Sequence, residues 1–438
     1  MLKNSQFSLL KQRRFFPYFS TQFLGALNDN VFRNGFVTLI TFQNISILGI
    51  DFTLLANIAA FLFILPFFLF SATAGQLADK YEKSMLMKHI KLLEIFLMSL
   101  AALALISQKY YLMLIVLFLM GCQSTLFGPV KYAYIPQKLS TNELVGGNAL
   151  ISSGTYIAII FGLIIGVESI DLNSNHQIFL AIILIGISCT GYLFSWKIPI
   201  TEASDPSIRI NLNIWKETWN IMRFSREDHS VFISMLCISW FWFVATAITI
   251  QVPAYAAVII NGNESTVTIL LIAFAVGVGF GSLLCEKLLN SKIELGLVPI
   301  ASIGMSIFSA DLYFAQPQAA NNAVESVSAF ISYFNNWRIL FDLVMLGACG
   351  GLNTVPLYAL VQRRTHRKYL SRVIAANNIL NSLFMVIAVI FCIILLKINF
   401  SIPELFLCIA ILNVGVAIYI YSLLPECLTH LFKLFRKF

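Results

Sequence analysis

Long apolar runs, separated by short polar breaks, recur along the whole sequence and constrain its fold most. An α-helix needs about 20 apolar residues to cross the hydrocarbon core of a bilayer. With 58% hydrophobic and 11% charged residues, the chain is too apolar for a soluble domain, which carries about 25% charged residues. We therefore predict an all-α membrane protein with twelve transmembrane helices. The predicted spans are 16–42, 52–77, 84–107, 110–130, 144–167, 177–197, 230–260, 266–289, 295–315, 337–361, 372–397 and 402–424.

The segments between the spans argue against several classes of protein. The longest polar stretch, about 199–230, is too short to fold alone as a catalytic domain, so neither an enzyme activity nor a cofactor is expected. The five histidines are scattered, and the eight cysteines lie almost entirely in apolar runs without a CxxC pair, so no metal site is expected. Nucleic-acid binding would need a basic face on a soluble module, and we expect none.

Lysine and arginine are distributed unevenly among the segments that join the spans. With the N-terminus placed inside, the inside segments hold 25 of the 29 basic residues and the outside segments hold three, while Arg33 lies within a span. Cytoplasmic loops of membrane proteins carry such an excess. Both termini are therefore expected in the cytoplasm. The inside set includes Lys80, Lys83, Lys88 and Lys91, after the second span.

The two halves of the sequence resemble each other weakly. VKYAYIPQKLSTNELVGGNAL, between spans four and five, aligns with PLYALVQRRTHRKYLSRVIAANNIL, between spans ten and eleven, at an offset of about 226 residues. Two six-helix repeats joined by a long inside loop are typical of parallel-repeat transporters. The predicted domains are an N-terminal six-helix half over 1–198, a cytoplasmic linker over 199–229 and a C-terminal six-helix half over 230–438.

Polar side chains interrupt the first span, which contains the segment LNDNVFRNG. Asp29 and Arg33 are one helical turn apart and can pair with each other, about 20 Å along the helix from Phe16. A charge facing lipid at the membrane centre costs about 2.5–3.5 kcal/mol, so both should face the bundle interior or a wet cavity. Two interpretations remain: a buried pair that fixes helix packing, or a cavity-lining pair that meets a polar or zwitterionic substrate.

Amide side chains recur on other spans and suggest a wet interior. A single amide in a membrane helix is more often a helix-packing contact than a ligand. Arg338 and Asp342 repeat the one-turn charge pair on the tenth span. With Asn28, Asp29, Asn30 and Arg33, the candidate substrate-binding residues are Gln123, Lys131, Asn148, Gln251, Asn353, Asn377 and Asn381.

The loop after the second span reads GQLADKYEK and resembles the G-x-L-A-D-R-x-G-R-K signature of the major facilitator superfamily. The resemblance implies the major facilitator fold and a gating role for Gly75, Asp79, Lys80 and Lys83. Gly75 permits close helix approach, and Asp79 can accept hydrogen bonds from a helix N-terminus and pair with a cation. Glu82 replaces the second glycine of the signature.

Two further motifs resemble the lysophospholipid transporter family within that superfamily. QFLGALNDNVFRNGFV is similar to its first helix, Q-F-L-G-A-F-N-D-N-x-F-K-N-A-L-V. TLFGPVKYAYIPQKLSTNELVGGNAL is similar to its fourth-to-fifth junction, G-P-x-K-Y-x-x-x-P followed by L-x-x-x-E-L-x-x-x-N. By motif match, Asn28, Asp29, Asn30 and Lys131 are carried over, and Arg33 stands where the family often has lysine.

The resemblance implies a flippase that moves lysophospholipid, usually lysophosphatidylethanolamine, from the outer to the inner leaflet of a bacterial inner membrane. A separate acyltransferase would then re-acylate the product, because the sequence is expected to carry no fused enzyme. Membrane lipid is the other expected partner, and the expected state is a monomer.

The competing hypothesis is a proton-coupled exporter of drugs, siderophores or small metabolites, in which Asp29 titrates. Such antiporters usually carry a G-P-x-x-G-G element in the fifth span, whereas this span reads GTYIAIIFGLIIG without a proline. A lipid-binding scaffold without transport activity is a third possibility.

Overall fold

Long helices dominate the molecule. The computed structural model describes residues 6–42, 45, 52–169, 174–290, 292–315, 317 and 326–435, so the basic residues Lys3, Arg436 and Lys437 lie outside the described part. Within these ranges, eleven helices are long and apolar enough to cross a bilayer. They are α2 (Phe52–Lys80), α3 (Lys83–Ile106), α4 (Tyr110–Lys138), α5 (Leu144–Glu168), α6 (Ser174–Ser195), α8 (His229–Ala254), α9 (Glu264–Leu289), α10 (Leu297–Phe314), α12 (Phe334–Arg364), α13 (Leu370–Lys397) and α14 (Ile402–Leu423).

The first helix, α1 (Phe16–Phe42), is the predicted span with the polar centre. Its 27 residues cover about 40 Å at 1.5 Å per residue, which is long enough to cross the membrane. Three asparagines, an aspartate and an arginine lie between positions 28 and 34 and interrupt its apolar run. With α1, the predicted all-α membrane fold is confirmed.

Short helices join or follow the long ones. These are α7 (Ile214–Phe224) in the predicted linker, α11 (Val327–Ser332) and α15 (Glu426–Phe435), and a π-helical turn, Tyr255–Ile260, continues α8. Side-chain caps begin several elements: Asp228 accepts from the Val231 amide, and Ser401 forms a capping box with Glu404. These residues satisfy amides that have no partner within the first turn of a helix.

The fourth helix is longer than predicted. The predicted span stops at 130, beside Pro129, but α4 continues to Lys138 and contains both Pro129 and Pro136. Proline is tolerated within membrane helices because neighbouring groups satisfy the freed carbonyls. The extension keeps Lys131 on a helix instead of a loop.

Contacts divide the chain into two compact units. The first unit comprises Met1–Thr141, Ile157–Glu227 and Gln362–Ser382, and the second comprises Asn142–Tyr156, Asp228–Val361 and Leu383–Phe438. Helices α5 and α13 therefore contribute to both units. The predicted halves and linker stay a prediction, because they were defined by a sequence repeat and the units by contacts.

Each unit has its own apolar core. In the first unit, α2 packs on α4, and α3 packs on α4 and α6, around buried residues such as Phe36, Leu97 and Met120. In the second, α8 and α10 pack on α14 around Phe241, Met305 and others.

Glycines allow α9 and α12 to approach closely within the second unit. A Cβ added at Gly281 would lie 2.0 Å from the Ala348 carbonyl oxygen, and one added at Gly277 would lie 2.0 Å from that of Val344. Small residues at membrane-helix interfaces permit such backbone contact. A larger side chain at either glycine would therefore force α9 and α12 apart.

Candidate functional site

Asp29, near the middle of α1, is held by a hydroxyl from α4. Ser124 Oγ donates to Asp29 Oδ2 at 2.6 Å. Asp29 Oδ1 is buried and has no hydrogen-bond partner among the residues that the structure describes. Parts of the Asp29 and Arg33 side chains remain accessible. The described residues therefore satisfy one carboxylate oxygen of Asp29 and leave the other without a donor.

The ion pair that the sequence allows between Asp29 and Arg33 is replaced by other contacts. Arg33 Nη2 donates to Asn30 Oδ1 at 2.8 Å, and the guanidinium lies 5.7 Å from the ring centroid of Phe63 on α2. Asn30 Nδ2 in turn donates to the Ala26 carbonyl at 2.7 Å. Asp29 therefore contacts α4, whereas Arg33 contacts α2.

A buried ion pair on α3, which the sequence patterns did not predict, lies beside this region. Lys91 Nζ and Glu94 Oε2 are 2.6 Å apart, and each side chain is only 1% exposed. Asn28 Nδ2 donates to Glu94 Oε1 at 3.1 Å, and Gln123 Nε2 donates to Glu94 Oε2 at 3.2 Å. Glu94 thus ties α1, α3 and α4 together through three donors.

The burial of Lys91 contradicts its predicted place among the basic residues of the inside segments. Its place in the sequence groups it with the cytoplasmic loop residues, but it is buried eight residues into α3. A Cβ at Gly191 would lie 2.6 Å from Lys91 Cε, so the absence of a side chain there makes room for the lysine. The signal that could have revealed the pair is Lys-x-x-Glu within an apolar run, since residues three apart share a helix face.

Lys131, on the second part of α4, belongs to the same unit. It interacts electrostatically with Asp29, and its ammonium lies 5.1 Å from the ring centroid of Tyr132. A Cβ at Gly128 would lie 2.7 Å from Nδ2 of Asn378 on α13. The glycine of the G-P-x-K motif therefore admits an amide that was not among the site candidates.

The remaining candidate amides have varied surroundings. Asn377 and Asn381 are buried on the first-unit part of α13. In the second unit, Asn148 donates to the Leu144 carbonyl one turn back at 2.8 Å. Gln251 lies against the Cys392 thiol, and Asn353 Oδ1 accepts from Cys237 Sγ at 3.6 Å. The structure therefore brings together Asn28, Asp29 and Gln123, whereas the three second-unit amides have separate partners.

The second predicted charge pair is also rearranged. Arg338 Nε donates to Asp311 Oδ2 on α10 at 2.9 Å, and not to Asp342. Asp342 is buried, and its Oδ2 has no partner among the described residues. Arg338 therefore pairs with an aspartate on another helix and not with the aspartate one turn away on its own helix.

The candidate gate lies where α2 meets the beginning of α13 in the first unit. Asp79 Oδ2 accepts from Arg372 Nε at 2.9 Å, and Asp79 Oδ1 accepts from the Ser371 amide at 3.2 Å. A Cβ at Gly75 would lie 2.7 Å from that of Ala375. These are the contacts that the loop signature suggests: a helix N-terminus, a cation and a close helix approach.

The linker completes this cluster with a second carboxylate. Arg372 Nη2 donates to Asp205 Oδ2 at 3.4 Å, and the Asp205 amide donates to the Asp79 carbonyl at 2.8 Å. Lys83, expected on the open cytoplasmic face, is instead buried, and its Nζ donates to Ser204 Oγ at 2.8 Å. Lys80 is partly exposed and lies beside the Tyr81 ring.

Glu82, which replaces the second glycine of the signature, makes several hydrogen bonds of its own. The residue is extended and caps α3, accepting from the amides of Ser84 and Met85. It also accepts from the amide and hydroxyl of Thr201, each at 2.8 Å. A side chain at this position therefore fastens the start of the linker to α3.

Similarity to known proteins identifies the family. The model of the Major Facilitator Superfamily matches residues 18–389. The chain belongs to this superfamily. It is therefore a multi-pass membrane protein with a transporter fold. None of the curated proteins compared with this transporter matches it significantly.

Solved structures agree on the fold. The human organic anion transporter MFSD10 (TETRAN) matches with a TM-score of 0.72 at 12% identity, over 94% of this chain and 99% of that one. The transporter FucP in the outward conformation matches with a TM-score of 0.69 at 13% identity, over 94% and 99%. A bacterial homologue of the iron transporter ferroportin matches with a TM-score of 0.61 at 12% identity, over 93% and 98%.

Proposed function

We propose that this transporter is a flippase that moves lysophospholipid, chiefly lysophosphatidylethanolamine, from the outer to the inner leaflet of a bacterial inner membrane by alternating access. Both termini lie in the cytoplasm in this proposal, as the distribution of lysine and arginine indicates. The product is re-acylated by a separate acyltransferase. The transporter works as a monomer and binds membrane lipid along its sides.

The observation that carries the proposal is the unpartnered oxygen of Asp29. A buried acceptor without a partner costs about 1–3 kcal/mol, and more when it is charged, so a site that keeps one gains by binding a donor. The ethanolamine ammonium is such a donor, and a charge-assisted hydrogen bond to a carboxylate is among the strongest available. Asp29 is therefore the residue that recognises the amine of the head group.

Two cations of the first unit suit the other end of a zwitterionic head. Lys131 interacts with Asp29 electrostatically, and Arg33 is partly accessible one turn along α1. Either can bind a phosphate, and arginine can do so through two parallel hydrogen bonds. In this proposal the single acyl chain stays in lipid while the head crosses the polar interior along α1 and α4. The candidate amides of the first unit, Asn28, Asn30, Gln123, Asn377 and Asn381, supply further polar contacts on the route.

The cluster around Asp79 provides the gate. Gly75 lets α2 and α13 meet, the Asp79–Arg372 pair holds them together, and Lys83 fastens the linker over the same ends. Lys80 contributes positive charge at the cytoplasmic surface. Opening this end requires these contacts to break, so their strength sets how readily the head group is released.

Asp29→Asn tests the proposal in proteoliposomes with fluorescent lysophosphatidylethanolamine in one leaflet. The amide keeps the shape but loses the charge that pairs with the ammonium, so flipping should fall at least tenfold. Ser124→Ala is the matched control, because it removes the hydroxyl contact but keeps the carboxylate, and it should retain most activity. Equal unfolding temperatures would show that both variants are folded. Normal flipping by Asp29→Asn would make the residue structural and defeat the proposal.

The proton-coupled exporter remains the second candidate, since structures of similar fold include an organic anion transporter and a fucose:proton symporter. An imposed proton gradient separates the two functions. If the gradient accelerates the flux of a soluble solute and lysolipid does not move, the exporter is correct. Lysolipid movement without soluble flux supports the flippase.

A further inference from the structure

The linker contains an amphipathic helix, α7 (Ile214–Phe224), which the function described above does not use. Asn213 caps it by accepting from the Lys216 amide at 3.0 Å. One face packs on the first unit, where Ile221 is 3% exposed. The helix is therefore held by the protein on one side and must present its other side to its surroundings.

The outward side of α7 carries two tryptophans. Trp215 and Trp219 are 69% and 71% exposed, and they are one turn apart, so they form a single stripe. Lys216 and Arg223 are exposed next to this stripe. Two indoles flanked by cations on one face of a short helix match the composition of helices that lie in a membrane interface.

Contacts place this helix against the membrane-spanning part of α2. Asn211, just before α7, exchanges two hydrogen bonds with Gln76, at 2.7 and 3.2 Å. The Trp215 ring then reaches Phe68, with centroids 6.4 Å apart. Phe68 lies twelve residues before Lys80, or about 18 Å from the end of α2. The stripe therefore begins beside an apolar part of α2, within the span predicted over 52–77.

The other end of α7 returns to the start of α13. The ring centroid of Phe224, the last residue of α7, lies 4.7 Å from that of Tyr369, immediately before α13. The helix thus runs from the side of α2 to the end of α13. It lies along the same two helices that meet at the Asp79–Arg372 gate.

We propose that α7 is an interfacial helix whose tryptophan stripe inserts into the leaflet next to the linker, with Lys216 and Arg223 binding anionic phospholipid head groups. That leaflet is the cytoplasmic one if the orientation under Proposed function is correct. The proposal needs no particular transport substrate. Aqueous exposure of two large indoles would be unfavourable, whereas the interface accepts both the ring and its N–H group.

Fluorine NMR of the full-length transporter, labelled with 5-fluorotryptophan in lipid nanodiscs, tests the proposal. The chain has six tryptophans, and loss of one signal in each of Trp215→Phe and Trp219→Phe assigns the two resonances. A phospholipid with a nitroxide near the head group should broaden both signals at least twofold. A water-soluble gadolinium chelate should broaden them less than it broadens a free 5-fluorotryptophan standard.

The binding of anionic head groups by Lys216 and Arg223 is tested by comparing nanodiscs of phosphatidylcholine with nanodiscs that also contain phosphatidylglycerol. The anionic lipid should increase the broadening by the nitroxide lipid, and Lys216→Gln with Arg223→Gln should remove that increase.

If either tryptophan variant fails to fold, replacement by tyrosine provides the assignment. Broadening by gadolinium and not by the lipid nitroxide would overturn the proposal and make the stripe an aqueous surface for a soluble partner. Normal lysolipid transport would not rescue the proposal in that case, so the two proposals fail separately.

Discussion

The carboxylate of Asp79 on α2 accepts a hydrogen bond from Arg372 on α13 at 2.9 Å, and the same arginine contacts Asp205 of the linker. Asp79 is fully buried, while Arg372 is 18% exposed. Residues more than 120 positions apart in sequence are therefore held in one ionic cluster at the end of two membrane helices.

Breaking this pair should be costly. Arg372→Gln leaves the buried Asp79 carboxylate without its cation, which typically costs about 3–5 kcal/mol, whereas Asp79→Asn should cost less because Arg372 keeps its contact with Asp205. Thermal unfolding in detergent, followed by tryptophan fluorescence, measures the effect. Lys368→Gln is the control, since Lys368 is 3.9 Å from Asp205 and largely exposed, and such pairs contribute about 0–1 kcal/mol. Equal losses from Arg372→Gln and Lys368→Gln would contradict the assignment.

The Lys91–Glu94 pair should show strong coupling. Lys91→Met or Glu94→Met alone strands one buried charge, and we expect each to lower the free energy of unfolding by about 3–5 kcal/mol. The double variant removes both charges and should lose clearly less than the sum of the single losses. Chemical denaturation of all four proteins completes the double-mutant cycle. Additive losses would mean that the two side chains act independently.

Gly281 should not accept even alanine. The added methyl group would meet the Ala348 carbonyl oxygen on α12, and overpacking of this kind costs about 1–3 kcal/mol. Gly415 on α14 is the matched control, because no atom lies within 4 Å of its would-be Cβ. There alanine should stabilise the helix by up to about 1 kcal/mol. Comparison of the two unfolding temperatures checks the sign of each effect.

Glu82 makes stability depend on pH. Burial alone would raise its pKa, but hydrogen bonds from Thr201 and Ser84 outweigh burial and hold the pKa of Glu82 below its ordinary value. The folded protein therefore favours the carboxylate, and this stabilisation is complete above the ordinary glutamate pKa and is lost as pH falls through the lowered one. The difference in unfolding temperature between wild type and Glu82→Gln should be largest at pH 6–7 and shrink below about pH 4. A constant difference would exclude this linkage.

Part of the site could be foreseen because some contacts are local or carried by a motif. The signature GQLADKYEK indicated that Asp79 would meet a helix N-terminus and a cation, but it did not identify Arg372 or Asp205. Helical periodicity placed Asp29 and Arg33 one turn apart, yet each found a different partner. Proximity along a helix allows a contact, and neighbouring helices decide whether it forms.

Counting charges by segment misplaced Lys91, because a lysine close to a helix start looks the same in sequence whether it points to water or into the bundle. Glu94, Asn28 and the space left by Gly191 determine its burial, and they come from three different helices. The hydropathy of a single helix does not tell whether a given side chain points to water or to a neighbouring helix.

The sequence alone determined the membrane helices, since the exclusion of water forces each apolar run of about 20 residues to satisfy its own backbone as a helix. It also determined which polar residues would be expensive enough to need a partner. The tertiary structure alone decided those partners: Ser124 for Asp29, Asp311 for Arg338, Arg372 for Asp79. The physical reason is that backbone hydrogen bonding is local, whereas a buried charge is stabilised by whichever donor or acceptor the packing of several helices brings within about 3 Å.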